Sequence, residues 1–389
     1  MSPSPARRAD YAITGSVALG FAHALALKVD RTLWAWGTNA TGQLGNGTTT
    51  TAQAPVQVLS GVGTISTSGD GSGGHSLAVK VDGTVWGWGR NTYGQLGDGS
   101  TTTPRLTPVQ ALGLTSMVAV AAGASHTLGL RSDGTVWAWG YNGYGQLGRG
   151  STPPGSTPAP VSGLGGVIAI AAGTFHSLAL KADGTVWAWG YNGSGQLGDG
   201  SQNQRSTPGL VGQVKGAVAI AASGHHSLAL CSSGTAAADV WAWGYNDVGQ
   251  LGDGTSQYRT VPQQVLSDAL AVVTGVRQTL YLRSNLTSSA VWGTGQHAGV
   301  FLAPRFRSLT APAESEAPVF IAGGPFALLA AGYQFSVVVS WDTTVLLWGA
   351  LGATFPAADG FALGHPTGAE DPDQDGLTTA QEWSLGSDP

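Results

Sequence analysis

The sequence has little charge and almost no cysteine. Asp, Glu, Lys and Arg together make up 10% of the 389 residues, and the formal net charge is -5. No block of Lys and Arg occurs, so the composition does not indicate a nucleic-acid partner. The single cysteine, Cys231, excludes a disulfide within the chain. Beyond the N-terminal stretch no run of 18 apolar residues occurs, so no membrane-spanning helix is expected.

Motifs of common enzyme classes are also missing. The sequence has no Gly-x-x-x-x-Gly-Lys-Ser/Thr loop for a nucleotide phosphate and no His-Glu-x-x-His zinc site. The glycine-rich segment 69–74 vaguely resembles the nucleophile loop of a serine protease, but its residue order is wrong, and His75 belongs to a repeat described below. We therefore expect a protein that is not an enzyme.

The N-terminus superficially resembles a signal peptide. Arg7 and Arg8 precede an apolar stretch over residues 11–27. That stretch contains His23 in the context Gly-x-x-His-Ala-Leu-Ala-Leu, which matches later segments of the chain. We therefore predict that it forms the first strands, with residues 1–8 as a flexible terminus.

Glycine and tryptophan, in contrast, are abundant and periodic. The chain has 61 Gly and 14 Trp, and seven Trp are followed by Gly, with spacings of 52, 51, 50, 54, 49 and 56 residues. A period in this range is typical of repeat folds. The seven are Trp36, Trp88, Trp139, Trp189, Trp243, Trp292 and Trp348.

A histidine lies thirteen residues before four of these tryptophans and seventeen residues before Trp243. Gln278 and Phe335 take its place in copies six and seven. Five histidines at one repeat position could form a ring of metal ligands, but a metal site would not readily accept Gln or Phe. The expected role is structural hydrogen bonding. The five are His23, His75, His126, His176 and His226.

The copy over residues 167–200 shows the strands most clearly. Short apolar runs surround Ile168 and Ile170, Leu178 and Leu180, and residues 186–189, and all are too short for helices. Asp183-Gly184 predicts a two-residue type I′ hairpin. A fourth strand is expected after the Gly-Gln-Leu-Gly element, for example over residues 108–112 or 160–164.

Four strands in each of seven copies predict an all-β fold, a seven-bladed β-propeller with four-stranded antiparallel blades over residues 9–358. Packing the blades around a closed ring buries faces that a single sheet would expose. Ten Trp occur in pairs at i and i+2, such as Trp187 and Trp189, which project from the same face of one strand. We expect them to fill the core between blades.

The motifs Gly-x-x-His-Ser/Thr-Leu, Asp-Gly-Thr-Val-Trp-x-Trp-Gly and Gly-Gln-Leu-Gly-x-Gly closely resemble the regulator of chromosome condensation repeat family. The resemblance implies a seven-bladed propeller. Its members include an exchange factor for a small GTPase, a plant UV-B photoreceptor and secreted bacterial inhibitors of β-lactamase, so the fold alone does not give the function. The photoreceptor's sensing tryptophans lie two residues before the repeat histidine. Here those positions hold Phe21, Gly73, Ala124, Thr174 and Gly224.

The C-terminal segment carries a different motif. After a linker over residues 359–370, the sequence from Asp371 to Glu382 matches Asp-x-Asp-x-Asp-Gly-x5-Glu. Three alternating carboxylates, a carbonyl at the seventh position and a bidentate Glu at the twelfth are calcium ligands. The alternative is an acidic, solvated tail. The expected ligands are Asp371, Asp373, Asp375, Leu377, Thr379 and Glu382.

The residues before Asp371 lack the periodicity of an entering helix. Residues 371–389 therefore resemble the short calcium repeats of dockerin and type 3 thrombospondin modules, found on secreted bacterial proteins. The final Gly-Ser-Asp-Pro resembles the start of another copy, as a truncated chain would show. Such loops suit millimolar extracellular calcium, which predicts an extracellular or cell-surface location.

The expected function is the recognition of a protein or other macromolecule through loops on one rim, because the loops after Gly-Gln-Leu-Gly diverge while the framework repeats. Arg and Tyr are enriched at interface hot spots. The alternative from another class is regulation of an enzyme, either inhibition of a β-lactamase-type hydrolase or nucleotide exchange on a small GTPase. The candidate contacts are Arg105, Arg205, Tyr258 and Arg259.

Overall fold

A computed structural model describes residues 15–68, 74–234, 237–285, 288–296, 314–324, 326–332, 335–340 and 345–349. All regular elements in these ranges are β-strands. None of the described segments forms a helix that is long and apolar enough to cross a membrane.

The first four repeats each form a separate four-stranded antiparallel sheet, or blade. Blade 1 contains β1 (Gly15–Leu19), β2 (His23–Lys28), β3 (Leu33–Gly37) and β4 (Ala52–Leu59). Blade 2 contains β5 (Val62–Thr67), β6 (His75–Lys80), β7 (Val85–Gly89) and β8 (Arg105–Gln110). Blade 3 contains β9 (Met117–Ala122), β10 (His126–Arg131), β11 (Val136–Gly140) and β12 (Gly155–Pro160). Blade 4 contains β13 (Val167–Ala172), β14 (His176–Lys181), β15 (Val186–Gly190) and β16 (Arg205–Leu210).

The remaining strands form two further sheets of unequal size. A seven-stranded sheet contains β17 (Ala217–Ser223), β18 (His226–Ser232), β19 (Ala238–Gly244), β20 (Arg259–Thr274), β21 (Gln278–Asn285), β22 (Ser288–Gln296) and β23 (Glu314–Gly324). A three-stranded sheet contains β24 (Phe326–Ala331), β25 (Phe335–Ser340) and β26 (Val345–Gly349). Strand β24 contacts both β20 and β1, which closes the ring.

The prediction of a seven-bladed propeller is wrong in the number of blades. Complete four-stranded blades number five, the fifth being β17 to β20, and the other described strands either continue its sheet or form the three-stranded sheet. The all-β class and the four-stranded antiparallel blade are confirmed. The predicted calcium-loop tail lies outside the described residues.

The two halves of β20 explain why the fifth blade does not end at its fourth strand. The first half pairs with β19, and the second half, from Ala269, pairs with β21. Before β17 the chain turns at Gly216, which has a positive φ of 64°. Residues 259–274 contain no glycine; Asp268 adopts a positive φ of 63°, and the chain runs through it as one 16-residue strand.

The sixth copy is also displaced by two residues from its predicted alignment. Thr279 pairs with Thr294, as Ser227 pairs with Trp243 in the fifth blade. Trp292 therefore matches the first tryptophan of each pair, and Gly295 matches the glycine that follows the second tryptophan. The spacing from Trp243 to Thr294 is 51 residues, close to the usual period.

Predicted strands at residues 167–190 are confirmed, but two local predictions are wrong. The fourth strands begin earlier, at Arg105 and Gly155. The Asp183-Gly184 turn is a three-residue loop, since Lys181 N–H donates to the Thr185 carbonyl and only Gly184 has a positive φ, 78°. The Asp183 carboxylate instead accepts the N–H and hydroxyl of Thr185.

The core lies between neighbouring blades. The second tryptophan of each pair is at most 4% exposed, and in blades 2 to 5 it inserts among the apolar side chains of the preceding blade, as Trp189 does beside Leu128, Leu147 and Val161. The first tryptophan is half-buried, and in four blades it lies under a cation such as Lys181 over Trp187. The predicted core role is thus confirmed for the second tryptophan. In blade 5 the cation position holds Cys231, which is buried and free.

The repeat histidines join adjacent blades, which confirms their predicted structural role. His126 Nε2 lies 3.1 Å from the Ser177 hydroxyl of the next blade. Ser177 donates to the Gln146 carbonyl of the histidine's own blade, and that carbonyl also accepts the Trp189 indole N–H at 2.8 Å. The same arrangement, here called the blade latch, recurs with His23–Ser76, His75–Thr127, His176–Ser227 and His226–Thr279.

The latch fixes the protonation state of each histidine. The hydroxyl has one proton, which it donates to the carbonyl, so the histidine must donate from Nε2. In each of the five histidines Nδ1 is buried without a partner, and a charged ring would be costly there. Burial lowers the pKa of His23 to about 4 and the pKa values of His126 and His226 to about 3. The pKa of His176 lies well below 6.5, also because of burial.

The latch between blade 5 and the sixth copy keeps its histidine, because His226 Nε2 lies 3.2 Å from the Thr279 hydroxyl, but it has no tryptophan. Thr294 donates to the Gln250 carbonyl in place of the indole, and Gln278 holds the histidine position of the sixth copy itself. The space of the missing indole is shared with Tyr281, which is fully buried with its hydroxyl 3.3 Å from that of Thr294. A Trp-to-Thr change is therefore compensated by Ala-to-Tyr on the neighbouring strand.

Acid should destabilise the propeller above the range in which its carboxylates titrate. An unfolded histidine has a pKa near 6.5, so between that value and the folded pKa the unfolded state binds more protons. Each latch histidine should then lower the free energy of unfolding by about 2 kcal/mol from pH 7 to pH 5. The variant His176→Gln introduces the residue that the sixth copy has at this position, Gln278. Measured by urea unfolding, its free energy of unfolding should decrease less between pH 7 and pH 5 than that of the parent. An equal decrease in the free energy of unfolding of the two proteins would contradict the assignment of this pH dependence to the latch histidines.

The first repeat has Arg31, with a φ of 64°, where the hairpins of blades 2, 3 and 4 have glycine. Because the side chain is exposed and a left-handed conformation disfavours non-glycine residues, Arg31→Gly should raise the free energy of unfolding by about 0.5–1 kcal/mol. Gly134→Ala, at the same turn position of blade 3 with a φ of 80°, is the reciprocal control and should be destabilising. Thermal unfolding measures both, and a loss of stability in Arg31→Gly would refute the strain.

Candidate interaction surface

The two ends of the blades differ in composition. At one end, here called the loop face, lie the Gly-x-x-His turns and the Gly-Gln-Leu-Gly loops; the opposite end carries the Asp-Gly hairpins. On the loop face the framework residues recur, whereas three positions vary: the residue after Trp-Gly, the residue two before the loop glutamine, and the residue before the latch histidine. The side chains at these three variable positions therefore determine which chemical groups the loop face presents.

Aromatic side chains occupy these positions in consecutive blades and touch one another. Ring centroids lie 4.8 Å apart between Tyr93 and Tyr141 and 5.1 Å apart between Tyr144 and Phe175. Such distances are those of favourable aromatic pairs. The chain of contacts, here called the aromatic belt, runs from blade 2 to blade 5 through Tyr93, Tyr141, Tyr144, Phe175, Tyr191, His225 and Tyr245, and it ends at Tyr258, which directly precedes the fourth strand of blade 5.

The belt is accessible to solvent, and the environment of three of its rings favours their uncharged form. Each of its rings is at least partly exposed, and Tyr93 and Tyr258 are 37% and 45% exposed. Burial lowers the pKa of His225 and raises the pKa of Tyr141, and burial with the Asp247 carboxylate raises the pKa of Tyr245. The three shifts in pKa all favour the uncharged form of these rings at neutral pH.

A basin of about 510 Å³ lies within the belt. At its edge Arg277 pairs with Asp247 at 2.7 Å, which joins the fifth blade's loop to the turn before β21. A few polar groups in an otherwise aromatic concavity are typical of a binding site. The residues around the basin are Tyr144, Phe175, Tyr191, Ser194, His225, Tyr245, Val276 and Arg277.

The belt is held in place by loop asparagines that the sequence analysis missed. In blade 4 Asn192 Oδ1 accepts the Leu197 N–H at 2.9 Å, and its amide donates to Asp199. The signal was present, because Trp-Gly-x-Asn recurs in five copies. The equivalent residues are Asn39, Asn91, Asn142 and Asn246, all buried.

Two of the predicted contact residues, Arg105 and Arg259, lie in tight ion pairs. Arg105 pairs with Asp98, and Arg259 with Asp253, each at 2.5 Å. Arg205 is more open, with 3.7 Å to Asp199 and a 40% exposed side chain. Tyr258 ends the belt against Tyr245. The structure therefore does not bring the four together, and it places only Tyr258 among the belt residues.

The central channel is narrow and lined by small residues. Seven segments surround a volume of about 360 Å³, including residues 120–124 of blade 3 and residues 170–174 of blade 4. Within the described ranges no three His, Cys, Asp or Glu side chains are close enough to hold a metal ion. The predicted calcium ligands, Asp371 to Glu382, lie outside those ranges.

Curated relatives match about a third of the chain. The chain is 38% identical over 140 residues to the human probable E3 ubiquitin-protein ligase HERC4, which is 35% of this chain and 13% of that relative. It is 36% identical over 136 residues to the ultraviolet-B receptor UVR8 of Arabidopsis thaliana, which is 34% of this chain and 31% of that relative. The chain thus matches less than a third of the length of either.

Solved structures agree with the fold over most of the chain. Prp20p of Saccharomyces cerevisiae has a TM-score of 0.68 at 24% identity, covering 83% of this chain and 81% of that one. Human WBSCR16 has a TM-score of 0.67 at 22% identity, covering 82% and 89%. The family model described as RCC1-like domain matches residues 3–302. This chain belongs to the RCC1-like domain family.

Proposed function

We propose that the chain is a non-catalytic, protein-binding propeller that recognises its partner through the aromatic belt on the loop face. The continuous contact of eight rings across four blades carries this proposal. Tyrosine supplies a large contact area with few rotatable bonds and a hydroxyl group, and it is enriched at interface hot spots.

Two further observations support this assignment. The rings are held by buried asparagines and by the blade latch, so little conformational entropy is lost on binding. The family relation is consistent with protein binding, because one solved structure with 25% identity is that of Kap60 bound to yeast RCC1 (Prp20). Among the predicted rim contacts, Tyr258 and Arg205 are the more exposed and complete the proposed surface.

Removing rings from the centre of the belt should abolish binding. We expect Tyr144→Ala with Tyr191→Ala to lose partners that the parent captures from extracts of the source organism. Val81→Ala is the matched control, since Val81 is 56% exposed but lies in a hairpin on the opposite face. Quantitative mass spectrometry of the captured proteins is the measurement, with thermal unfolding as a check on folding. Equal capture by the belt variant and the control would rule out the belt as the site.

We also propose that residues 371–382 bind calcium and that the protein is secreted or displayed on the surface of a bacterial cell. The support is the ligand pattern of Asp371, Asp373, Asp375, Leu377, Thr379 and Glu382, which suits the millimolar calcium found outside cells. All proposed ligands lie within twelve consecutive residues, so the propeller core does not depend on the ion.

Calcium titration by calorimetry should therefore show one site in the parent and none in Asp373→Ala with Asp375→Ala. A chelator should leave the thermal unfolding of the tryptophan-rich core unchanged, because the ion stabilises only the element that binds it. Unchanged affinity in the double variant would disprove the assignment, as would melting of the core on chelation.

Regulation of an enzyme is the second candidate, and it shares the protein-binding surface. The structural likeness to Prp20p, described in a study of binding to Gsp1p and histones, motivates it. Nucleotide release from small GTPases and inhibition of a panel of β-lactamases would separate this candidate from simple scaffolding. Activity in either assay that the Tyr144 and Tyr191 substitutions remove would favour regulation.

A further inference from the structure

Blade 3 departs from its neighbours in one charged pair. In blades 2, 4 and 5 the residue two after Gly-Gln-Leu is Asp, and it pairs with the Arg that begins the fourth strand. In blade 3 both members differ, because Arg149 stands at the Asp position and Gly155 at the Arg position. The blade has therefore gained a cation where the others have a carboxylate.

The side chain of Arg149 lies toward the site of the missing arginine. A Cβ added at Gly155 would be 3.2 Å from Arg149 Nη2, so the guanidinium occupies space next to the start of β12. Its Nε is buried with no hydrogen-bond partner, and within the described ranges no carboxylate forms an ion pair with it. Leaving a partly buried cation unpaired is unfavourable.

The hydrogen-bond donors that surround the carboxylate in blade 2 have no carboxylate to bind in blade 3. In blade 2 the Asp98 carboxylate accepts the N–H and hydroxyl of Ser100 and the amide of Asn91. The corresponding Ser151 of blade 3 is exposed, and Asn142 donates instead to the carbonyls of Gly150 and Thr152. Blades 2, 4 and 5 have a carboxylate at this loop position. Blade 3 has the Arg149 guanidinium and the Ser151 hydroxyl there, and its loop provides no carboxylate to bind them.

We propose that Arg149, with Ser151, binds a carboxylate from an acidic side chain of the protein that docks on the loop face. This rests on the proposed function, and it adds the chemistry of the partner. The belt lies alongside, since Tyr141 precedes Asn142, whose amide holds the carbonyl of Gly150. A segment that places an acidic residue at Arg149 and apolar or aromatic residues on the belt fits both. Arg is suited to this because its planar guanidinium matches a carboxylate with two parallel hydrogen bonds.

The chain itself offers a matched control. Arg149→Asp with Gly155→Arg would rebuild in blade 3 the ion pair of blades 2, 4 and 5, so it should fold at least as stably as the parent while losing the site. Arg149→Gln is a second variant, which removes the charge but leaves Gly155 in place. A fold defect in one variant therefore does not prevent the test.

The first measurement follows the backbone amide resonances of Gly150 and Ser151, which are present in the parent and in both variants, by NMR during titration with N-acetyl-aspartate at constant ionic strength. A saturable shift in the parent, absent from both variants, is expected. Inorganic phosphate is the comparison, and a response to phosphate without a response to N-acetyl-aspartate would overturn the carboxylate assignment. No saturable shift with N-acetyl-aspartate would overturn it as well.

The second measurement selects a random peptide library on the parent protein. Peptides that no longer bind the variant Tyr144→Ala with Tyr191→Ala are the ones that need the belt. These peptides should be enriched in Asp and Glu. They should also bind the Arg149→Asp, Gly155→Arg variant about tenfold more weakly than the parent, as expected for loss of one charge-assisted contact. Belt-dependent peptides that bind this variant equally well would refute the Arg149 site and leave the proposed function standing. Peptides that need Arg149 but not the belt would refute the proposed function alone.

Discussion

The backbone carbonyl of the loop glutamine is the point on which the structure depends. In blade 3 the Gln146 carbonyl accepts the Ser177 hydroxyl and the Trp189 indole from the next blade, while Ser177 accepts from His126. One buried carbonyl thus joins a loop, the core between two blades and the histidine turn. Because every member is buried, loss of one donor leaves a polar group without water, which costs more than the hydrogen bond contributes.

The latch also explains how a constant framework can present a variable surface. The latch glutamine, the loop asparagine and the histidine are buried, so their side chains are unavailable to a partner. The residues between them along the chain, such as Tyr144 and Phe175, point away from those contacts and meet each other. The residues of the proposed binding surface can therefore vary between repeats, because their side chains take no part in the hydrogen bonds to the carbonyl that joins the blades.

Much of this could be predicted from the sequence, and the failures have physical causes. The strands, the tryptophan core and the hydrogen-bonding role of histidine followed from periodicity, which reports local structure repeated in sequence. The number of complete blades did not, because β20 continues through Asp268, a residue that the sequence gives no reason to expect at a positive φ. The sixth repeat was misaligned because Trp292, at the first tryptophan position, is followed by Gly, and strand pairing identifies Thr294 as the equivalent of the second tryptophan.

The site was harder to predict than the fold. Arginines at the rim appeared free in the sequence, but Arg105 and Arg259 are bound to aspartates six or seven residues earlier in their own blades. The aromatic belt was missed because its members come from four different positions of the repeat, and most of them meet only when adjacent blades pack. Periodicity within one repeat cannot reveal contacts between variable positions of different repeats.

A double-mutant cycle across one latch tests the central claim most directly. The free energy of unfolding would be measured for His126→Ala, Ser177→Ala and the double variant, and the latch predicts a coupling energy of about 1 kcal/mol. His126→Ala with Ser227→Ala, whose side chains belong to different latches, should be additive. Additivity in both pairs would contradict the account, because His126 and Ser177 would then contribute independently and the blades would be held by apolar packing alone.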